Sequence, residues 1–473
     1  MPLNSFGFLL AFLPAVLFLG TVVRDLRGPR VAQAVLLIAS LAFYAMGGVR
    51  SLPLLLGSIL FNWGISRLIA ASARSAASRR WLQVGLAGNL IFLAVFKYAD
   101  LVAEALASQL GVPASAPHWG FPLGISFFTL TQIMYLVDCY ERLMPASGLF
   151  DHATFVSFFP NVTAGPLVRA RKYVSQLPDL FSPTNRDRRL AQGLSLVAIG
   201  LFKKLALADS FAFFANAGHS HVSALSTVEA WMASLAYTFE MYFDFSGYSD
   251  IAFGAARMLG IDIVRNFNAP YRAATISEFW QRWHISLSTF ITTYLYTPMV
   301  KAMGRPSVHT SAVATFVAMT IAGIWHGATW PYLLFYVMHG SALAGFQYWK
   351  RLKKKLPRGA AILLTFNFAN LAFVMFRSPD VHTALTFMSR LWPRSGGFET
   401  GTLLGSIASA DLVVIAWPVL IGGPLAFLGP TSDEIAERAM PSPLHLAGIA
   451  FTALIAMSFL ASGAGGSFIY RAF

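Results

Sequence analysis

Little of this chain is charged. Of 473 residues, 12% are Asp, Glu, Lys or Arg and 56% are hydrophobic, a balance that excludes the two or three soluble domains the length would otherwise suggest. Cysteine is nearly absent: Cys139 stands alone, so no disulfide can close within the chain, no cysteine cluster can form, and no metal site is expected. No internal repeat or low-complexity tract is visible, which removes the usual signature of a transporter built from matching halves. No basic region precedes the first apolar run and no small-residue cleavage site follows it, so residues 5–23 are expected to persist as a first helix.

What the sequence has instead is apolar runs of membrane-spanning length, at 5–23, 31–48, 52–70, 81–96, 190–208, 309–325, 331–348, 360–376, 411–429 and 443–461. The expectation is an all-α polytopic membrane protein. Shorter runs at 121–137, 153–168, 229–260 and 285–300 are interrupted by polar residues, Gly or Pro, and should line an interior or re-enter the bilayer, because irregular backbone survives at that depth only inside protein or beside water. The formal charge of +14 does not point to nucleic acid, since the basic residues lie in short loops: "RDLRGPR" (24–30), "SARSAASRR" (72–80) and "KRLKKKLPR" (350–358). That is positive-inside patterning, which puts these loops in the cytoplasm and both termini outside a bacterial inner membrane. Residues 377–410 should form an amphipathic surface helix and loops.

Ionisable groups inside a membrane are costly, so each is a functional candidate until it is shown to be a structural pair. They gather between 200 and 340. "EMYFDFSGYSD" (240–250) places Glu240, Asp244 and Tyr248 on one helical face, with Ser246 and Asp250 close by. These groups either line a pocket or pair with Arg265 or Arg272 to hold the fold. His284 falls where an interfacial helix would turn into the re-entrant 285–300 piece, and both a reactive and a structural role suit it. "GIWHGATWP" (323–331) sets His326 at a helix end, facing away from the cytoplasm. A neutral imidazole there can accept a proton near pH 7; Gly327 would let a ligand approach, and Trp325 and Trp330 could wall a pocket. His339, deeper on the partner helix, reads as structural or pocket-lining.

Four segments, "FFPNVTAGPLVRARKY", "YFDFSGYSDIAFGAARMLGI", "SEFWQRWHISLSTF" and "GIWHGATW", occur in the order found in the membrane-bound O-acyltransferases, and the chain resembles the polysaccharide-modifying bacterial branch typified by alginate O-acetyltransferase. The resemblance implies a single domain over 1–473: flanking helices 1–120, a catalytic core 121–348, and flanking helices 349–473 with an external tail. It also implies a ring of tilted and re-entrant helices around a central tunnel, with His326 catalytic and His284 its partner. The donor would be a cytoplasmic thioester, acetyl-CoA, used as substrate with no resident cofactor. Trp325, Arg282, Lys203, Lys204 and Arg171, with Arg169 and Arg272, are candidates to meet it, although each cation also suits an ordinary headgroup contact. Asp244, Ser246, Tyr248, Asn268, Trp283 and His339 would complete the pocket.

The ending "FIYRAF" (468–473) resembles the F-x-Y-x-x-F terminus found in the family and on a small partner of its D-alanyl branch. On that resemblance Tyr470 would carry the acyl group, with His326 removing its proton and a periplasmic acetyltransferase or esterase-like partner passing the group to a cell-envelope polysaccharide. An interfacial aromatic anchor is the other reading of these residues. D-alanyl or lipid acylation on the same fold, and a proton-coupled transporter or flippase, are the alternative functions.

Overall fold

A computed structural model of the chain describes residues 1–72, 75–111, 121–305, 307–393, 411–440, 442–461 and 468. Every regular element among them is helical. In chain order these are α1 (Leu13–Arg27), α2 (Pro29–Gly48), α3 (Leu52–Ala71), α4 (Ala76–Leu110), α5 (Ile125–Tyr140), α6 (Leu149–Ser157), α7 (Ala170–Val174), α8 (Arg186–Leu201), α9 (Asp209–Ser220), α10 (Thr227–Met258), α11 (Ile276–Arg282), α12 (Ile285–Phe290), α13 (Thr297–Ala302), α14 (Val308–His326), α15 (Trp330–Trp349), α16 (Arg358–Arg377), α17 (Val381–Arg390), α18 (Asp411–Phe427), α19 (Ser432–Glu437) and α20 (Pro443–Ala461). Gly7–Arg27, Pro29–Ala71, Val308–His326, Arg358–Arg377 and Pro443–Ala461 are long and apolar enough to cross a bilayer unaided. The chain is an all-α polytopic membrane protein.

α10 is the central element. The sequence suggested an interrupted piece over 229–260, but the helix runs unbroken for 32 residues, about 48 Å at 1.5 Å per residue. Its start is fixed by a capping box, in which Ser226 accepts from the Glu229 amide and the Glu229 carboxylate accepts from the Ser226 amide. Its polar residues do not break it because a helix satisfies its own backbone, and most of its length between Ala233 and Met258 is buried in protein. Two glycine pairs bring α10 against α8: a Cβ on Gly247 would stand 2.7 Å from the Gly200 carbonyl oxygen, and one on Gly254 2.5 Å from that of Gly193. Only hydrogen fits at either crossing.

The expected re-entrant piece 285–300 is helical from Ile285 to Ala302, widened by a π-helical stretch at Ile291–Tyr296. A second π-helical stretch, Phe202–Ala208, joins α8 to α9. The run 153–168 is helical only to Ser157 and then turns through Phe158–Val168 without regular structure. α17 supplies the amphipathic helix expected within 377–410, and Asp380 caps it through the Thr383 amide at 2.8 Å. On one face of the molecule the Arg186 guanidinium meets Asp25 at 3.0 Å, tying the last turn of α1 to the start of α8.

Candidate active site

His326 is the last residue of α14, and three residues turn the chain into α15. The hairpin closes tightly because Gly323 faces Tyr336 and Leu333, where a Cβ would meet Tyr336 Cβ at 2.9 Å. His326 is 2% exposed and its ring stacks on Tyr336 with centroids 4.8 Å apart, edge-on to Trp325 at 4.6 Å. Phe376 of α16 completes the enclosure at 6.1 Å. Gly327 proves to be small for a neighbour's sake: a Cβ there would lie 2.6 Å from the Tyr332 ring. Trp330, expected to wall a pocket, is instead 69% exposed.

His284 joins α11 to α12 and is buried to 1%. Its backbone is left-handed, φ 42° and ψ 53°, a conformation that costs a non-glycine residue about 1–3 kcal/mol and persists only when the surroundings enforce it. Asn266 enforces it. The Asn266 backbone carbonyl accepts from the Ile285 amide at 2.9 Å, while its side-chain oxygen accepts from the Ser286 amide at 3.1 Å and stands 3.3 Å from His284 Nδ1. The sequence had suggested Asn268. Asn268 meets Arg282 only through its own backbone atoms, its amide donating to the Arg282 carbonyl and its carbonyl accepting from the guanidinium. Phe245 of α10 packs edge-on to the His284 ring at 4.7 Å. The histidines of the two motifs, 42 positions apart in the chain, come within electrostatic reach of one another.

The other candidates divide. His339 is fully enclosed, accepts from Trp280 Nε1 at 3.2 Å, and sits among Phe335, Phe368 and Phe279, which is the structural placement. Trp283 stacks on Phe279 at 5.6 Å and meets Phe267 at 5.0 Å, bracing the turn that carries His284. Ser246 is buried on α10. Asp244 meets Lys204 at 2.6 Å, Lys204 also meets Asp209 at 2.7 Å, and Glu240 faces Arg377 at 4.0 Å. The carboxylates therefore pair with Lys204 and Arg377, not with Arg265 or Arg272, which reach Asp433 and the Gly429 carbonyl. Lys203 pairs with Asp250 at 2.8 Å and Arg282 with Glu278 at 2.9 Å, so these cations are occupied within the protein. Arg171 is exposed, and Arg169 donates to Thr293 at 3.0 Å.

Thr293 borders a cavity of about 450 Å³ between α11, α12, α14 and α15. Its wall carries hydroxyl and amide groups from Ser277, Gln281, Ser288, Thr292, Thr315 and Gln347, with Lys350 at one end. Neither His284 nor His326 lines it, although Ile285 and Trp280, neighbours of the first, do. A second cavity of about 350 Å³ lies between α10 and the α18–α20 segment, where Lys203, Asp250, Ser432 and Asp433 meet. Asp433, on the short helix between the last two apolar helices, has its carboxyl pushed up to about 6, first by burial and then by the charge of Asp250.

Tyr470 lies outside the described residues. Phe468, two positions earlier, is 6% exposed and packs edge-on to Tyr248 at 4.5 Å, with the Lys204 ammonium 5.2 Å from its ring. Tyr248 itself hydrogen-bonds Thr163 at 2.7 Å.

Residues 80–378 match the sequence profile of the membrane-bound O-acyltransferase family, a stretch that reaches beyond 121–348 at both ends and contains both motif histidines. The chain belongs to that family. The peptidoglycan O-acetyltransferase of Helicobacter pylori is 38% identical to it over 417 residues, covering 81% of this chain and 78% of that protein. A Pseudomonas aeruginosa protein named "Probable alginate O-acetylase AlgI" is 37% identical over 401 residues, covering 81% and 73%. The teichoic acid D-alanyltransferase of Streptococcus thermophilus is more distant, 27% identical over 299 residues. The protein is thus a membrane acyltransferase, and the transporter alternative falls away. Within the family match the sequence reading missed Asn266, which shapes the His284 turn, and Lys97, which reaches the end of α14.

Proposed function

We propose that the chain moves an acetyl group from a cytoplasmic thioester, acetyl-CoA, to a hydroxyl group on the opposite side of the bacterial inner membrane, with a cell-envelope polysaccharide as final acceptor. The observation that carries this reading is the burial of both motif histidines among aromatic rings, His326 against Tyr336 and Trp325 and His284 against Phe245, on separate helical segments. The acetyl group follows from the relatives at 37–38% identity, both named for O-acetylation of a polysaccharide. Two relatives named for D-alanyl transfer are more distant, at 27% and 24% identity.

In the proposed reaction the neutral His326 imidazole accepts the proton of an attacking hydroxyl while its oxygen bonds to the thioester carbonyl carbon. The tetrahedral adduct collapses, the carbon–sulfur bond breaks, the proton returns from the imidazolium to the leaving sulfur, and an ester and a free thiol result. His284, held by Asn266, orients the donor or His326. The hydroxyl-lined 450 Å³ cavity, with Arg169 at Thr293 and Lys350 at its end, suits the polar pantetheine arm of the thioester. The attacking hydroxyl is that of Tyr470, acting as an acyl carrier for a periplasmic partner. In support, Phe468 is docked on Tyr248, three residues along α10 from the Phe245 that packs on His284, and two residues of chain span at most about 7 Å.

The test is acetylation in membranes measured for His326→Ala and Tyr470→Phe. His326→Ala should lose activity by about 10²–10⁴-fold at unchanged protein level. Tyr470→Phe keeps the ring and loses the hydroxyl, so normal acetylation by that variant would remove the carrier step while leaving the histidine in place.

A further inference from the structure

The end of α14 lacks a backbone cap. The last carbonyls of any helix have no partner within it, and no amide from Gly327 or beyond turns back to serve this end. Two side chains from α4 do so instead. Lys97 Nζ donates to the Trp325 carbonyl and Tyr98 donates its hydroxyl to the Ile324 carbonyl, contacts that join residues more than 220 positions apart. The sequence placed the end of an apolar run at residue 96, but α4 continues past it to Leu110 and so carries both residues to α14.

The ammonium of Lys97 is further fixed by the Trp325 ring, 5.5 Å away, and the Phe121 ring, 5.9 Å away. Among the described residues no carboxylate forms an ion pair with it, in contrast to Lys203 and Lys204. A cation at a helix C-terminus is favourable because the exposed carbonyls carry partial negative charge. Here that helix end is the turn holding His326. His326 is the next residue after Trp325, the rings of Trp325, Tyr336 and Phe376 pack on its imidazole, and Lys97 is close enough to act on it electrostatically.

We propose that Lys97 is a positioning residue for acyl transfer: its ammonium holds the Trp325 carbonyl, fixes the last turn of α14, and thereby sets the imidazole of His326 against its substrates. The inference rests on His326 acting as the base. It predicts that Lys97 works through His326 and not through recognition of the donor.

The experiment measures initial rates of acetyl transfer in membranes with acetyl-CoA as the donor probe, for Lys97→Met, Lys97→Arg, His326→Gln and the Lys97→Met/His326→Gln pair. Lys97→Met should lower kcat by about 10- to 100-fold, the worth of a hydrogen bond from a charged donor, with KM within about twofold. Lys97→Arg should recover most of the rate, because it keeps charge and donor. In the His326→Gln background Lys97→Met should add almost nothing, since two groups acting as one unit are not additive. An unchanged kcat in Lys97→Met, or a loss repeated in full on top of His326→Gln, would overturn the proposal. If Lys97→Met fails to accumulate, Lys97→Gln replaces it in the same comparison. Full activity in His326→Gln alone would instead remove the base assignment, a failure that the single variants keep separate.

Discussion

On one side of α10, Glu240 and Asp244 are buried against Arg377 and Lys204; next to them on the same helix, Phe245 packs on an imidazole that carries a buried polar ring without requiring a permanent charge. The ionic side depends on its pairs, because desolvating each charge costs several kcal/mol and only close partners offset it. The imidazole side depends on rings and on one asparagine. Charge density in the sequence drew attention to 240–250, yet charges that face one another, as Asp244 and Lys204 do, are suited to fixing helices, and the groups suited to moving a proton are those that can be buried neutral and gain one transiently. The difference teaches that in a membrane core a dense charge cluster marks architecture as readily as chemistry.

Variants should separate the two sides. The largest effect expected is a reciprocal one: His326→Gln loses about 10²–10⁴ in rate per folded molecule, far beyond any fall in its thermal midpoint in detergent, whereas Lys204→Met strands Asp244 and Asp209 and loses about 3–5 kcal/mol of stability, seen as a collapse in recovered protein. If both variants lose only activity, the ionic side belongs to the chemistry after all. A middle-sized effect is expected from Asn266→Ala, which releases the left-handed turn at His284 and should cost about 1–3 kcal/mol, read as a rate loss greater than the fall in folded protein; a pure stability loss would make Asn266 architectural. The smallest concerns Asp433, at the edge of the ionic side. Its folded pKa of about 6 lies above the ordinary carboxylate value near 3.9, so the folded state binds that proton more tightly and stability falls as pH rises between those values. Asp433→Asn should therefore be neutral near pH 4 and gain about 1–2 kcal/mol at pH 7 in a thermal-shift comparison; a gain at both pH values would point to packing instead of charge.

The apolar runs, the all-helical class and the family were legible because hydropathy is local and the motifs are contiguous. The two motif histidines could be singled out for the same reason, and the structure buries both. Partners were not. Which of Asn266 and Asn268 turns inward depends on the register of an irregular segment, and the cations that answer Glu240 and Asp244 arrive from α16 and from a π-helical stretch whose extra residue shifts every later side chain on that turn. Lys97 was hidden by its position, since a lysine closing an apolar run looks like an interfacial anchor until the distant strand of contacts to Ile324 and Trp325 is seen. The expected passage to His326 is another such case: the 450 Å³ cavity is lined by Ile285 and Trp280 but by neither His284 nor His326.

The glycine pairs at 193/254 and 200/247 carry a practical consequence. Since main chain there touches main chain, replacing lipid by surfactant gives that contact no competitor, and the unit of α8 with α10 should outlast its surroundings during extraction. In deuterium-labelling of the purified protein, amides near these four positions should be the last to exchange, which would make them an internal clock for how much of the rest has loosened.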